Sequence, residues 1–285
     1  MREPIANKTH YPNGVTLLDN TFHELFSEHP KGPGSLPLKH ESNTLKGVIV
    51  PHGSYQLAGP AMAWAYQALA SSAVNDKLFF IIGQSQFSTG QGVTGETFLT
   101  PYGEVRADQH IIRELVAKGS IPYNDDIHLQ ENLIEVQLPF LQFISSAKEK
   151  IKIVPLLVNH ETDMKTLALD IKETLVDQGK EATFIFVTNF TSYGRNFSYV
   201  PFTENIPDNI AAFDKKVLDA ICAYDQEQFV QALEETLIPL SGQAPLELFF
   251  QLFHDPKISL EQYYLSGDIN DNYTTTVSYA SLRIE

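Results

Sequence analysis

A chain of 285 residues with 43% hydrophobic and 19% charged residues has the composition of a globular protein, and its length allows one large α/β domain or two small ones. The formal net charge of −15, with no Lys/Arg cluster, disfavours nucleic acids and anionic membrane surfaces as partners. No apolar segment approaches the roughly 20 residues that span a bilayer, and residues 1–10 contain no apolar signal core, so we expect a soluble, cytoplasmic protein.

Short apolar runs rich in β-branched residues predict five strands along the chain. These runs cover residues 46–50, 78–82, 151–158, 183–187 and 276–283. The first four are apolar on both faces, as in a sheet covered by helices on both sides, whereas the last alternates and suits an edge strand.

Patterns with helical periodicity separate these strands. They cover residues 58–70, 108–117, 132–145, 163–176, 209–223, 226–235 and 245–253. Because strands and helices alternate and no linker divides the chain, we expect one three-layer α/β domain over residues 1–285. A mostly parallel central sheet would lie between helices on both of its faces.

Polar segments follow the first four predicted strands. They are PHGSYQLAG (51–59), GQSQFSTGQG (83–92), NHETD (159–163) and TNFTSYGRNF (188–197). The carboxyl ends of parallel strands meet at one edge of a sheet, so we expect these segments to line a common crevice. His52 is the imidazole closest to a strand end, where it could act as a metal ligand, an acid or a base, or only make a structural hydrogen bond.

A second group of candidates lies in residues 125–135 (DDIHLQENLIE). On a helix, Glu131 and Glu135 would lie one turn apart, where they could serve acid/base chemistry or only cap and solvate the helix start, and His128 stands nearby. Cys222 lies on a helical apolar pattern and is expected to be a buried packing thiol. Seven other histidines show no ligand spacing and are expected at the surface or in packing contacts: His10, His23, His29, His40, His110, His160 and His254.

The chain contains no HExxH motif, Walker A loop, GxGxxG turn or GxSxG elbow. Four segments nevertheless resemble motifs of one family. They are REPIANKTHYP (2–12), VPHGSYQLAG (50–59), TPYGEVRAD (100–108) and HLQENLIEVQLPFL (128–141). In order and content they are similar to the R-x-P-A-V-A-G-x-F-Y-P, V-P-H-A-G-Y-x-Y-S-G, T-P-L-G-x-V-x-V-D and H-x-x-E-H-S-I-E-V-Q-L-P-F-L motifs of the Memo family, which includes the Memo component of the AmmeMemoRadiSam genes.

The resemblance implies an α/β fold similar to that of the class III extradiol dioxygenases, with a pocket at the strand ends. Members that bind metal hold it through a His in a P-H-A-G motif, a His in a G-P-S-H-H motif and a Cys in a C-G-x-x-P motif. Such nitrogen and sulfur ligands suit iron, copper or zinc.

Compared position by position, this chain retains the first of these ligands and has other residues in place of the second and third. His52 matches the first ligand, whereas Gln86 stands at the second and Ser241 at the third. Further polar positions of the family motifs are also changed, from His to Asn132, from Asp to Asn189 and from His to Ser192. Each replacement is a neutral amide or hydroxyl, which binds redox metals weakly and does not titrate near pH 7.

Three hypotheses follow from this pattern of replacement. The first is a noncatalytic protein whose surviving polar pocket binds a small molecule or a protein partner, without a cofactor. The second is a metal-free hydrolase or isomerase in which His52 works with Glu131 or His128, although no nucleophile has a visible activating partner. The third retains iron, copper or zinc weakly on His52, Glu131 and water.

Overall fold

The computed structural model describes residues 1–38, 45–70 and 78–285. Its sheet is mixed and has ten described strands. They are β1 Gly47–Val50, β2 Leu78–Gly83, β3 Gly92–Val93, β4 Phe98–Thr100, β5 Gly103–Ala107, β6 Lys152–Leu157, β7 Ala182–Val187, β8 Ser192–Tyr193, β9 Ile258–Leu265 and β10 Thr276–Ile284. Their spatial order is β4-β5-β6-β2-β7-β1-β10-β8, with β3 also paired to β6 and β9 to β10. All five predicted strands are therefore confirmed.

The middle of this sheet is parallel, as the alternation of strands and helices predicted. Strands β5, β6, β2, β7 and β1 pair in parallel, whereas β3, β4, β8, β9 and β10 add antiparallel pairings. The parallel strands place their carboxyl ends at one edge of the sheet. That edge is where an open α/β sheet forms its ligand crevice.

The prediction of an edge position for β10 is wrong. This strand pairs with β1, β9 and β8, and its side chains are almost all buried. Its alternation arises from serines that are buried rather than solvated: the hydroxyls of Ser278 and Ser281 donate to the main-chain carbonyls of Thr191 and Ala61. A hydroxyl satisfied in this way is inexpensive to bury, so it does not mark a solvent-facing strand.

Helices cover both faces of the sheet. The described α-helices are α1 Val15–His23, α2 Gly59–Ala70, α3 Gln109–Lys118, α4 Asp126–Leu129, α5 Leu138–Ile144, α6 Met164–Asp177, α7 Ile206–Cys222, α8 Gln226–Thr236, α9 Gln243–Leu252 and α10 Gly267–Asn270. None of these helices is long and apolar enough to cross a bilayer. Cys222, at the end of α7, is only half-buried, and burial raises the pKa of its thiol.

Two apolar layers form because neighbouring strand residues point to opposite faces. Val48 and Ile49 of β1 illustrate this. Val48 joins the layer under α1, α2 and α5, whereas Ile49 joins the layer under α3 and α6 to α9. Phe140 of α5 is central to the first layer, where it packs against Phe22 and Tyr66 with ring centroids 4.6 and 5.0 Å apart.

The helix predicted over residues 132–145 begins later than expected. A 3₁₀ turn, Glu135–Gln137, leads into α5, and Pro139 occupies the first turn of that helix. A proline is accommodated there because the first helical N–H groups have no intrahelical partner. Glu131 and Asn132 consequently lie in the preceding loop, and Glu131 does not share a helix face with Glu135.

The N-terminal segment is part of the packed structure. Arg2 donates its main-chain N–H to the Thr97 carbonyl and accepts from Leu99 N–H, which attaches the segment beside β4. Ile5 and Ala6 then donate their N–H groups to the Glu135 carboxylate, both at 2.9 Å. We call residues 1–6 the N-terminal arm.

Candidate functional site

Four of the predicted site residues converge at the carboxyl edge of the sheet. His52 follows β1, Gln86 follows β2, Asn189 follows β7, and Ser241 lies just before α9. The three strands are adjacent and parallel, which is why residues distant in sequence meet there. We call His52, Gln86, Asn189 and Ser241 the His52 cluster.

The imidazole of His52 contacts the two positions that hold ligands in the family motif. Its Nε2 atom lies 3.1 Å from Nε2 of Gln86 and 3.2 Å from Oγ of Ser241. An amide N–H can only donate, so His52 Nε2 is the acceptor of the Gln86 bond and its proton is on Nδ1. The cluster therefore satisfies this nitrogen with neutral protein groups.

Burial keeps this imidazole uncharged. The side chain of His52 is almost entirely enclosed, and desolvation, followed by the charge of nearby His10, lowers the pKa of His52 to about 4. At neutral pH the ring is a hydrogen-bond acceptor and a weak base.

Asn189 fixes the main chain of His52. Its Oδ1 accepts the His52 N–H at 2.9 Å, and its Nδ2 donates to the His52 carbonyl at 3.0 Å. This two-bond arrangement requires both a donor and an acceptor on one side chain, which an amide provides and a carboxylate does not.

Ser241 is held by the main chain of Asn189. Its hydroxyl accepts the Asn189 N–H at 2.7 Å, and its own N–H donates to the Asn189 carbonyl at 3.1 Å. Glycine at 242 permits this close approach, since a Cβ there would stand 2.6 Å from Val187 O and from Thr188 Cβ. The sequence shows no activating partner for Ser241, and in the structure its hydroxyl lies 3.2 Å from His52 Nε2.

Glu131 lies behind Gln86. Its carboxylate accepts the Gln86 main-chain N–H at 2.8 Å and is almost wholly buried. Burial raises the pKa of this carboxyl, and the hydrogen bonds from Gln86 and Ser85 oppose that shift. Glu131 thus orients the loop that carries Gln86, whereas Glu135 serves the N-terminal arm instead.

Two further candidates stand apart from the His52 cluster. His128 is buried and shares a hydrogen bond of 3.1 Å between its Nε2 and the Gly92 carbonyl, while its Nδ1 has no partner among the described residues. Ser192 pairs with Val277 at the β8–β10 contact, and in the described part of the chain no hydrogen bond joins it to the cluster.

Asn132 contacts His10, a histidine for which the sequence predicted only a surface or packing role. Its amide Nδ2 lies 3.4 Å from Nε2 of His10, and His10 is close enough to lower the pKa of His52. No spacing indicated this histidine, because the contact joins the N-terminal segment to a loop more than a hundred residues away. His40 lies outside the described residues.

The residues present do not fit the redox metal that the family resemblance implied. Iron, copper and zinc sites are built from imidazole, thiolate and carboxylate, whereas here one imidazole meets an amide N–H and a hydroxyl. Over residues 1–38, 45–70 and 78–285, no three His, Cys, Asp or Glu side chains come together as a metal-binding group.

A cleft of about 460 Å³ opens beside the cluster, beyond the ends of β2 and β6. Gln86 lies in its wall and links it to His52. We call this space the amide cleft, and it is lined by Gln84, Ser85, Gln86, Phe87, Ser88, Thr89, Asn159, His160 and Glu161. Gln84 and His160 were not predicted as site residues, although both lie in the polar segments after β2 and β6.

Comparison with known proteins finds one family along nearly the whole chain. The model of the family described as Memo-like protein matches residues 2–283. A MEMO1 family protein of Methanopyrus kandleri is 30% identical, with 99% of this chain and 98% of that protein covered. MEMO1 family proteins of Methanothermobacter thermautotrophicus (29% identical, 99% of both chains) and Pyrococcus horikoshii (27%, 99% and 98%) are also similar.

Proposed function

Because the chain belongs to the Memo family, we propose that it is a noncatalytic member that binds a small molecule or a protein partner through a polar pocket without a metal. One observation carries this proposal: His52 Nε2 is engaged by Gln86 and Ser241, the residues at the other two ligand positions of the family motif. The side chains at the three family ligand positions therefore bond to one another as neutral groups.

The chemistry of the cluster supports this proposal. A general base needs a pKa near the working pH, and burial lowers the pKa of His52 to about 4. The replaced positions remain polar, and Gln86 continues into a solvent-reachable cleft. A site that had become ordinary core would have apolar side chains there.

Elemental analysis tests the proposal directly. Protein purified without chelator, and again after equilibration with iron, copper or zinc and gel filtration, should contain far less than one metal ion per chain. A stoichiometric metal ion that survives gel filtration would overturn the proposal. As a positive control, Gln86→His combined with Ser241→Cys should restore metal binding, because imidazole and thiolate then flank His52.

A second candidate function rests on the contact between Ser241 Oγ and His52 Nε2. At 3.2 Å this pair has the spacing of a serine nucleophile and its base in a metal-free hydrolase. It ranks second because Gln86 competes for the same nitrogen and because the low pKa of His52 makes a weak base. Hydrolysis of p-nitrophenyl acetate that disappears in Ser241→Ala would favour it over the first proposal.

The third candidate, a metal held weakly by His52, Glu131 and water, is less well supported. The Glu131 carboxylate accepts the main-chain N–H of Gln86, and His52 Nε2 accepts from the Gln86 side chain, so both groups already have hydrogen-bond partners. The measurement of metal content tests this candidate together with the first.

We also propose that residues 1–285 form a single domain and that the protein is cytoplasmic. In support, the same sheet contains β1 near the beginning of the chain and β10 at its end. The excess of acidic residues argues against nucleic acid as the partner.

A further inference from the structure

Six of the nine residues that line the amide cleft carry a side-chain amide or hydroxyl, and the other three are Phe87, His160 and Glu161. The lining includes the side-chain amides of Gln84, Gln86 and Asn159, together with several hydroxyls, and it contains no lysine or arginine. Amides and hydroxyls each offer both a donor and an acceptor, or can be oriented to offer either. Ligand hydroxyls have the same dual character, so such a lining is complementary to them.

Part of this hydrogen-bonding capacity is available to a ligand. Gln86, which lines the cleft, uses its Nε2 on His52, and its Oε1 accepts no hydrogen bond from the described residues. Ser88 accepts the Gly90 N–H at 3.0 Å and retains its own hydroxyl proton. The hydroxyl of Thr89 makes no hydrogen bond to the described residues, so these three groups can bond to a ligand in the cleft.

The phenyl ring that lines the cleft, that of Phe87, is unusually exposed. Phe87 has 64% of its surface accessible, whereas most phenylalanines of the described chain are core residues. It stands in a loop whose turn is made by the Ser85 hydroxyl, which accepts the main-chain N–H groups of Phe87 and Ser88 at 3.2 and 3.0 Å. Those bonds hold the loop that presents the ring at the edge of the cleft.

We propose that the amide cleft binds a neutral polyhydroxylated small molecule of the saccharide or polyol class. Phe87 would cover an apolar C–H face of the ligand, and Gln86, Ser88 and Thr89 would hydrogen-bond its hydroxyls. An anionic ligand would meet no lysine or arginine in the lining, and Glu161 with the net charge of −15 would repel it. A purely apolar ligand would leave the amides unsatisfied.

This inference rests on the proposed function, since it names the ligand class of the same polar pocket. Gln86 connects the two, because its amide lines the cleft and also donates to His52. A ligand hydroxyl bound at Gln86 Oε1 would therefore change the hydrogen bond from Gln86 to the His52 ring. The NMR resonances of the His52 imidazole would then report whether the cleft is occupied.

Saturation-transfer NMR and calorimetry with D-glucose, maltose and myo-inositol test the proposal, with D-gluconate and D-glucosamine as charged counterparts. At least one neutral probe should bind, more tightly than D-gluconate, and shift the His52 imidazole resonances. Phe87→Leu should weaken that binding about tenfold because it removes the ring while keeping an apolar side chain, and Phe87→Tyr should restore it. Thr89→Val should also weaken it.

Phe197→Leu is the matched control, because Phe197 is likewise exposed, at 40%, and does not line this cleft. Absence of binding by all three neutral probes, preferential binding of D-gluconate or D-glucosamine, or unchanged affinity in Phe87→Leu would overturn the inference. Metal content and esterase activity measured on the same preparation judge the proposed function separately. A metal-free, inactive protein that ignores the neutral probes would contradict only the ligand class.

Discussion

At the scale of single residues, the amide of Asn189 determines where His52 stands. Its two hydrogen bonds fix both the N–H and the carbonyl of the His52 main chain. The main chain of Asn189 in turn bonds Ser241, so this residue orients two members of the His52 cluster at once.

Asn189→Asp is expected to lower the free energy of unfolding by about 2 kcal/mol, although the two side chains have the same shape. The second carboxylate oxygen would face the His52 carbonyl, where Nδ2 now donates, and neither oxygen could supply that proton. Urea denaturation measures the change. Asn196→Asp, at an exposed position, is the control, and equal losses in the two variants would contradict this account.

His128 should make stability depend on pH. Burial lowers its pKa to about 4, opposed by the bond to Gly92, so the folded state favours the neutral ring. Below the usual value of 6.5 the unfolded chain takes up a proton that the folded chain does not. The stabilisation is complete above pH 6.5, declines as the pH falls from 6.5 to about 4, and levels off below that.

The expected loss from this residue is about 3 kcal/mol across that window. His128→Gln keeps a donor for the Gly92 carbonyl and cannot titrate, so its free energy of unfolding should fall less steeply between pH 6.5 and 4 than that of the parent. Parallel pH profiles for the two proteins would show that His128 does not titrate as proposed.

The strand ends and the family motifs predicted that His52, Gln86, Asn189 and Ser241 would line one crevice, and the four residues lie together in the structure. That Gln86 and Ser241 share one ring nitrogen was not predictable from the sequence, because side-chain orientation follows from tertiary contacts. The pairing of His10 with Asn132 was also out of reach, since neither hydrophobic periodicity nor motif spacing encodes a contact between two loops.

At the scale of elements, the N-terminal arm stabilises a buried carboxylate. Glu135 accepts hydrogen bonds from Ile5, Ala6 and the Tyr11 hydroxyl, and Arg2 lies 3.7 Å from it. The N-terminal arm thus supplies most of the described partners of the Glu135 carboxylate in the core.

Removing residues 1–6 should therefore lower the free energy of unfolding by more than about 3 kcal/mol, because it leaves the Glu135 carboxylate buried without most of its donors. Denaturation of the truncated protein and of its Glu135→Gln derivative forms a double-mutant cycle. Glu135→Gln should cost clearly less in the truncated chain than in the full chain. Equal costs in both backgrounds would mean that arm and carboxylate are independent.

Element positions were predictable where one periodicity dominated, as in the central strands. Prediction failed where two signals disagreed. Pro139 indicates a helix start, but the apolar pattern over residues 132–145 extends through the preceding loop and predicted an earlier start. The alternation of β10 was equally ambiguous, since hydrophobicity cannot distinguish a solvated serine from one bonded to a buried carbonyl.

At the scale of the whole molecule, the formal net charge of −15 acts against the compact state. Folding brings the acidic groups closer together, and their mutual repulsion is reduced by dissolved ions. Local ion pairs such as Lys216 with Glu235 are exposed and contribute little in return.

We expect the urea midpoint of the protein to rise between low salt and about 0.2 M NaCl, as screening reduces this repulsion. Glu181→Lys combined with Glu234→Lys replaces two exposed acidic residues and should weaken the salt dependence. Glu181→Gln with Glu234→Gln should give an intermediate effect. A midpoint that falls with salt, or that ignores these substitutions, would show that attractive pairs dominate.

The position of β10 has a consequence for how the protein is made. Strand β10 follows β1, β8 and β9 in the chain and pairs with all three, so the sheet cannot be completed before β10 has been synthesised. Until then the exposed side of β1 offers unpaired main-chain groups to any neighbouring nascent chain. The risk of aggregation is therefore concentrated in the interval before β10 emerges, and a chain terminated ahead of β10 would remain in that state.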